Sequence, residues 1–271
     1  MSSLHLLADD PLPVQHWREE GAGAVLLACD HASNLVPRAL AGLGLGADEL
    51  GRHIAWDIGA ANVTRRLAAM LDAPAILAGY SRLVIDCNRD PADASSIPET
   101  SDGVEIPGNR GLPEAARAAR LAAIFAPYHA AIEAWIEARL ARGIAPALVS
   151  VHSFTPIMGG KARPWHVGVL WEEDGRIPIP LLAALRANPA LVVGDNEPYS
   201  AREPEGYTVR HHAVARGLPH VAIELRQDLV ANDDGAARWA ELLAAALRPI
   251  LSRAELYRVG DWTRAGRDPN I

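Results

Sequence analysis

Three apolar runs, far apart in the chain, each deliver a metal-competent or proton-handling side chain at or near their carboxyl end. VLLACDHASN (residues 25–34) presents His31, LVSVHSFTP (148–156) presents His152, and VAIELRQD (221–228) presents Glu224. Short continuous apolar runs bounded by polar turns read as buried strands. Two histidines and a carboxylate so distant in sequence meet only if the fold gathers strand ends, and parallel α/β sheets do so because their ligand sites lie outside the strands' carboxyl ends. The rest of the chain fits that demand. Further strands are expected at 75–77, 83–86 and 167–170, and helices at 57–71, 113–142, 179–187, 209–216 and 235–253. Alternating strands and helices imply a mainly parallel mixed sheet covered on both faces, a three-layer α/β/α arrangement. No composition break divides the chain, so residues 1–271 are expected to form a single domain, with 1–20 a loose N-terminal arm and 260–271 a loose tail.

A chain of 271 residues with 49% hydrophobic and 22% charged residues is ordinary for a globular enzyme-sized domain. The net charge of -7, with scattered arginines and no basic cluster, argues against a nucleic-acid surface. The N-terminus lacks a basic segment followed by an apolar core, so it does not read as a signal peptide. No run approaches the roughly 20 apolar residues that cross a bilayer. Cys29 and Cys87 fall in or beside predicted strands and form no CxxC pair, which suits reduced core thiols in a cytoplasmic protein.

Catalytic zinc takes three protein ligands that mix His with Asp or Glu and leaves a position open for water. His31 and His152 supply two. For the third, Asp57 in HIAWDIGA is a carboxylate leading into a helix, and its competing reading is a helix cap. Asn34, three residues after His31, is the other candidate, though an amide oxygen is a weaker ligand. Glu224 in VAIEL is a carboxylate in apolar surroundings, expensive unless functional or paired, and the pairing reading would use Arg226. Burial would raise its pKa toward the range of a general base. In SRLVIDCNRD, Asn88 and Arg89 can form a carboxylate fork, with Arg82 at the other end of the run; a plain ion pair of Arg89 with Asp86 or Asp90 is the alternative. The segment 91–113 is too long and too rich in Pro, Gly and Ser for a simple connection and reads as either a functional lid or disorder. GDNEPYS (194–200) reads as a substrate-contacting turn. His211 and His212 cannot share a helix face, His129 reads as packing, and His53 as a neighbour of the site.

With these residues in view, the chain resembles the N-formylglutamate amidohydrolase family over nearly its whole length. The resemblance is carried by CDHASNLVP, HIAWDIGA, SRLVIDCNRDP, IPGNRGL, VHSFTP, GDNEPYS and IELRQDL in family order. It implies a fold and site layout similar to the zinc carboxypeptidases and muramoyl-alanine amidases, hence a zinc-exopeptidase-like domain. His152 then matches the second zinc histidine, Glu224 the catalytic glutamate, and Asn88 and Arg89 the pair that holds a terminal carboxylate. Carboxypeptidases place a glutamate ligand where this chain has Asn34, whereas muramoyl amidases take their carboxylate from the start of the next helix, where Asp57 stands. The resemblance therefore implies one zinc ion on His31, Asp57 and His152, and hydrolysis of N-formyl-L-glutamate to formate and L-glutamate. The second carboxylate of that substrate would fall to Arg82, Arg226 or Arg210, and the IPGNRGL loop would close over the site. Rival readings are an amidase for another N-acyl amino acid or small peptide, and a metal-free binding homologue.

Overall fold

The computed structural model describes residues 4, 6, 7, 9–21, 23–202 and 206–260. Seven strands form one sheet: β1 (Val14–Trp17), β2 (Val25–Cys29), β3 (Ala75–Ala78), β4 (Ala147–Phe154), β5 (Val167–Leu170), β6 (Val193–Asp195) and β7 (His220–Arg226). Their spatial order is β1-β3-β2-β4-β7-β5-β6. The four strands β3, β2, β4 and β7 run parallel, whereas β1 is antiparallel to β3, and β5 is antiparallel to β7 but parallel to β6. This is the mainly parallel mixed α/β sheet expected.

The helices lie on both faces. The α-helices of five residues or more are α1 (Ala60–Leu71), α2 (Glu114–Arg120), α3 (Ala126–Leu140), α4 (Pro178–Arg186), α5 (Thr208–His212) and α6 (Asp233–Leu251). Odd-numbered residues of β2, β3, β4 and β7, such as Leu27, Leu77, Val149 and Ile223, join one core with α1, α4 and α6. Even-numbered ones, such as Leu26, Ile76 and Leu148, join a second core with α3. The period of two follows from the pleat, and a strand buried on both faces has no polar side to alternate with.

Three expectations are corrected. The N-terminal arm is not loose over residues 14–17, because β1 pairs along the whole of β3 and covers its open edge. The run 83–86 is not a strand: after β3 the backbone leaves the sheet, and its polar groups bond to loops, Ser81 N to Leu35 O, Arg82 N to Ala55 O and Asp86 N to Ser96 O. The helix expected at 113–142 is interrupted by a π turn, Leu121–Phe125. Pro127 lies directly beyond and has no N–H to give the preceding turn, so the ladder widens before it. The expected tail beyond Gly260 lies outside the described residues. Among the described residues, no helix is long and apolar enough to cross a membrane.

Candidate active site

β2, β4 and β7 are neighbours, and this alone brings His31, His152 and Glu224 together. Glu224 stands in direct register with His152 across the β4–β7 pair, and His31 follows β2 by two residues. Asp57 reaches them from the turn before α1. Its N–H donates to His31 O at 3.0 Å. It is not the helix cap, since α1 begins at Ala60 behind Gly59, whose φ of 82° is left-handed. A Cβ at residue 59 would lie 2.2 Å from Val230 O, so this turn accepts only glycine.

The four side chains are almost fully buried, with exposures of 3% for His31 and Asp57, 5% for His152 and 7% for Glu224. Asp57 Oδ2 lies 3.3 Å from His31 Nδ1 and 3.0 Å from His152 Nδ1, and accepts the Ser153 N–H at 3.2 Å. One ligand atom from each of His31, Asp57 and His152 lies within 4.8 Å of the others, a spacing that can hold a metal ion. Two imidazoles and a carboxylate form a mixed N/O donor set suited to zinc.

Each ring is also held from its far side. His31 Nε2 lies 2.6 Å from Asp86 Oδ1, and His152 Nε2 lies 3.2 Å from Asp30 Oδ2 and 2.9 Å from Ser150 Oγ. A carboxylate behind a metal-facing imidazole fixes ring orientation and raises ligand basicity. Asp30 is itself fixed by hydrogen bonds from Tyr128 Oη and Thr208 Oγ1, both at 2.7 Å. The sequence offers Asp86 only as an ion-pair partner of Arg89 and does not single out Asp30, although both follow apolar runs just as His31 does.

The charges follow from this packing. Burial alone would raise the Asp57 and Asp30 carboxyls, but the neighbouring histidines outweigh it, holding Asp57 below the ordinary range and Asp30 at about 2. Burial works against the charged imidazole of His152, and its hydrogen bonds to Asp30 and Asp57 reverse the effect and raise it. Glu224 goes the other way. Burial raises its carboxyl to about 7 against the pull of His152, and its Oε2 has no hydrogen-bond partner.

These residues floor an open cavity of about 810 Å³. Arg82, Asn88, Arg89 and Arg210 also line it. Arg82 grips Asp86 Oδ2 through Nε and Nη2, and its Nη1 lies 3.7 Å from Asp57 Oδ1. Asn88 Oδ1 accepts the Tyr207 and Thr208 N–H groups, which ties it to the start of α5. Arg226 does not reach the cavity: Nε and Nη2 pair with Asp228 and Nη1 donates to Pro164 O, so it binds neither Glu224 nor a ligand there. Asn34 is turned away as well, donating to Leu50 O.

The long loop walls the cavity through Ser95, Pro98 and residues 100–102, and its tip is fastened where Asp102 accepts from Arg52 and pairs with His53. The IPGNRGL segment does not close over the site. Its Asn109 is buried, donating to Leu83 O and Pro98 O and accepting from Arg120, so it anchors the loop's base. Residues 196–201 line the cavity as the GDNEPYS reading requires. His129 and His212 pack against each other behind the site, at 2.9 Å between Nδ1 and Nε2.

Two buried histidines, a shared carboxylate and an unpaired buried glutamate at the floor of an open cavity are the furniture of hydrolysis, and the chain is a hydrolase that acts on amide bonds. It belongs to the N-formylglutamate amidohydrolase family, whose sequence profile matches residues 23–231. It is similar to the crystal structure of gene product Atu2144 from Agrobacterium tumefaciens, with 38% identity over 90% of this chain and 97% of that one and a TM-score of 0.87. It shares its fold with the N-formylglutamate amidohydrolase from Ralstonia eutropha JMP134, at 20% identity over 89% and 97% of the two chains and a TM-score of 0.64. A search of curated proteins gave no match.

Proposed function

We propose that the chain hydrolyses the amide bond of an N-acyl amino acid, N-formyl-L-glutamate foremost, releasing the carboxylate and the free amino acid with one zinc ion held by His31, Asp57 and His152. The observation that carries the reading is the buried Glu224 Oε2 without a partner, in register with His152 at the floor of the cavity. A glutamate paired for structural reasons would have both oxygens satisfied. Zinc in this donor set supplies Lewis acidity, acidifying a water and polarising a carbonyl.

The remaining steps belong to the chain's own residues. Glu224, its carboxyl near neutrality, takes the proton of the attacking water as the C–O bond forms. It passes that proton to the amine nitrogen as the C–N bond breaks. Arg82, next to Asp57, is placed to stabilise the charge that develops on the carbonyl oxygen. Arg89 and Asn88, on the same wall, take the carboxylates of the amino acid.

Elemental analysis of wild type, His152→Ala and Glu224→Gln, combined with turnover of N-formyl-L-glutamate, tests this. About one zinc per chain is expected in wild type and Glu224→Gln and none in His152→Ala. The kcat of Glu224→Gln is expected to fall by about 10²–10⁴-fold. A wild type that takes up no stoichiometric metal after incubation with zinc would overturn the reading in favour of a metal-free binding protein.

A further inference from the structure

We propose that the site also takes N-acyl amino acids with a straight aliphatic acyl group of about six carbons, seated in an apolar channel that runs from Glu224 down the face of the sheet. The proposal rests on the hydrolytic reading above and adds the class of acyl group. β7 is an interior strand, with β4 on one side and β5 on the other, yet Ala222 in its middle is partly exposed while Val221 and Ile223 are fully buried. Ala222 lies two residues before Glu224 and so projects from the same face. Beside it in register is Leu170 of β5.

Leu170, Val214 and Ala222 join neither hydrophobic core and all line the cavity; Val214 and Ala222 are partly exposed there, and Leu170 is buried beside Ala222. Val209 at the edge of the second core lines the same cavity. His220 lies at the far end. It is buried, bonded through Nδ1 to Leu218 O, and burial lowers its pKa, so it stands there as a neutral ring.

The channel has the right length and lies on the right side. At about 3.3 Å per residue, Ala222 sits about 7 Å from Glu224 along the strand. An extended chain advances about 1.2 Å per bond, judged from the backbone's span per residue, so about six bonds reach it. Arg82 and Arg89 come from the segment after β3, and β3 and β5 lie on opposite sides of the β2–β4–β7 trio. Arg210, next to Val209 on α5, lies on the channel's side but is paired with Glu172 at 4.0 Å. An amide held at the centre therefore sends its amino-acid half toward Arg82 and Arg89 and its acyl half into the channel. A formyl group leaves this space unused, while each buried methylene is worth roughly fourfold in affinity.

The test is a series of N-formyl, N-acetyl, N-butanoyl, N-hexanoyl and N-dodecanoyl L-glutamates. It is read as kcat/KM on the zinc-loaded wild type and as calorimetric Kd on zinc-loaded Glu224→Gln. Both are expected to improve at least tenfold from formyl to hexanoyl and then level or decline. Ala222→Leu is expected to cut the hexanoyl-to-formyl ratio of kcat/KM at least tenfold. A Kd flat along the series, or a ratio that Ala222→Leu leaves unchanged, overturns the channel. Chain-length-dependent binding with no turnover of any member leaves the channel standing and overturns the hydrolytic reading instead.

Discussion

Asp30 and Asp86 stand behind His152 and His31, and what they do is separable from what the proposed ligands do. Asp30 does not line the active-site cavity, but its Oδ2 meets the far nitrogen of His152 while Oδ1 takes two hydroxyl hydrogen bonds. Asp30→Asn keeps the volume and both hydroxyl partners while removing the charge behind the ring. Zinc affinity, measured by competition with a chelator, is expected to fall about 10- to 100-fold, with circular dichroism unchanged. An unaltered affinity would reduce Asp30 to a packing residue. The sequence makes His31 and His152 legible because an imidazole at the end of an apolar run is conspicuous. It hides Asp30 and Asp86 because a carboxylate's partner is set by which strands become neighbours. Arg226 is hidden for a different reason: its partner Asp228 is only two residues away, and nothing in the sequence says that this local pair forms rather than a contact with a ligand.

At the scale of elements, the turn into α1 decides where Asp57 points. Reading Asp57 as a cap or as a ligand depended on where α1 begins, and sequence boundaries carry an uncertainty of a few residues. The start at Ala60, fixed by Gly59, releases the carboxylate from capping duty. Gly59→Ala places a methyl against Val230 O and forces a left-handed φ on a residue with a Cβ. A loss of about 2 kcal/mol or more of unfolding free energy is expected in denaturant titrations, together with weakened zinc uptake as Asp57 shifts. Full stability with full metal content would show that the turn can relax. Elements with strong periodicity, α1 and α6 among them, were legible to within three residues. The run 83–86 was misread because its apolar side chains are buried as a strand's would be, but under a loop, where pattern carries no information about hydrogen-bond partners.

For the whole molecule, stability against acid is set partly by groups remote from the chemistry. Burial depresses His129 to about 4 and His212 to about 3, whereas both titrate near 6.5 when unfolded. The unfolded chain binds the extra protons, so the stability this pair confers is present above pH 6.5 and is lost as pH falls toward 4. His31 and His152 are shifted upward and act in the opposite sense, so the effect is read as a difference. The stability advantage of wild type over His212→Gln in urea is expected to shrink by on the order of 2 kcal/mol between pH 7.5 and 5. A constant difference would show that the pair protonates freely in the native state. The α/β class and the helices on both faces were legible from alternation; the strand order was not. Nothing local announces that β4 lies between β2 and β7, or that β5 and β6 reverse direction.

That order has a consequence for how the chain is made. β4 is eight residues long and buried throughout, and its partner β7 is, among the described residues, the last strand synthesised. Until residue 226 leaves the ribosome, β4 is an apolar edge without its second neighbour, the state in which strands recruit wrong partners. His152 rides on that edge, so during synthesis an open edge of the half-built sheet carries the centre of the site.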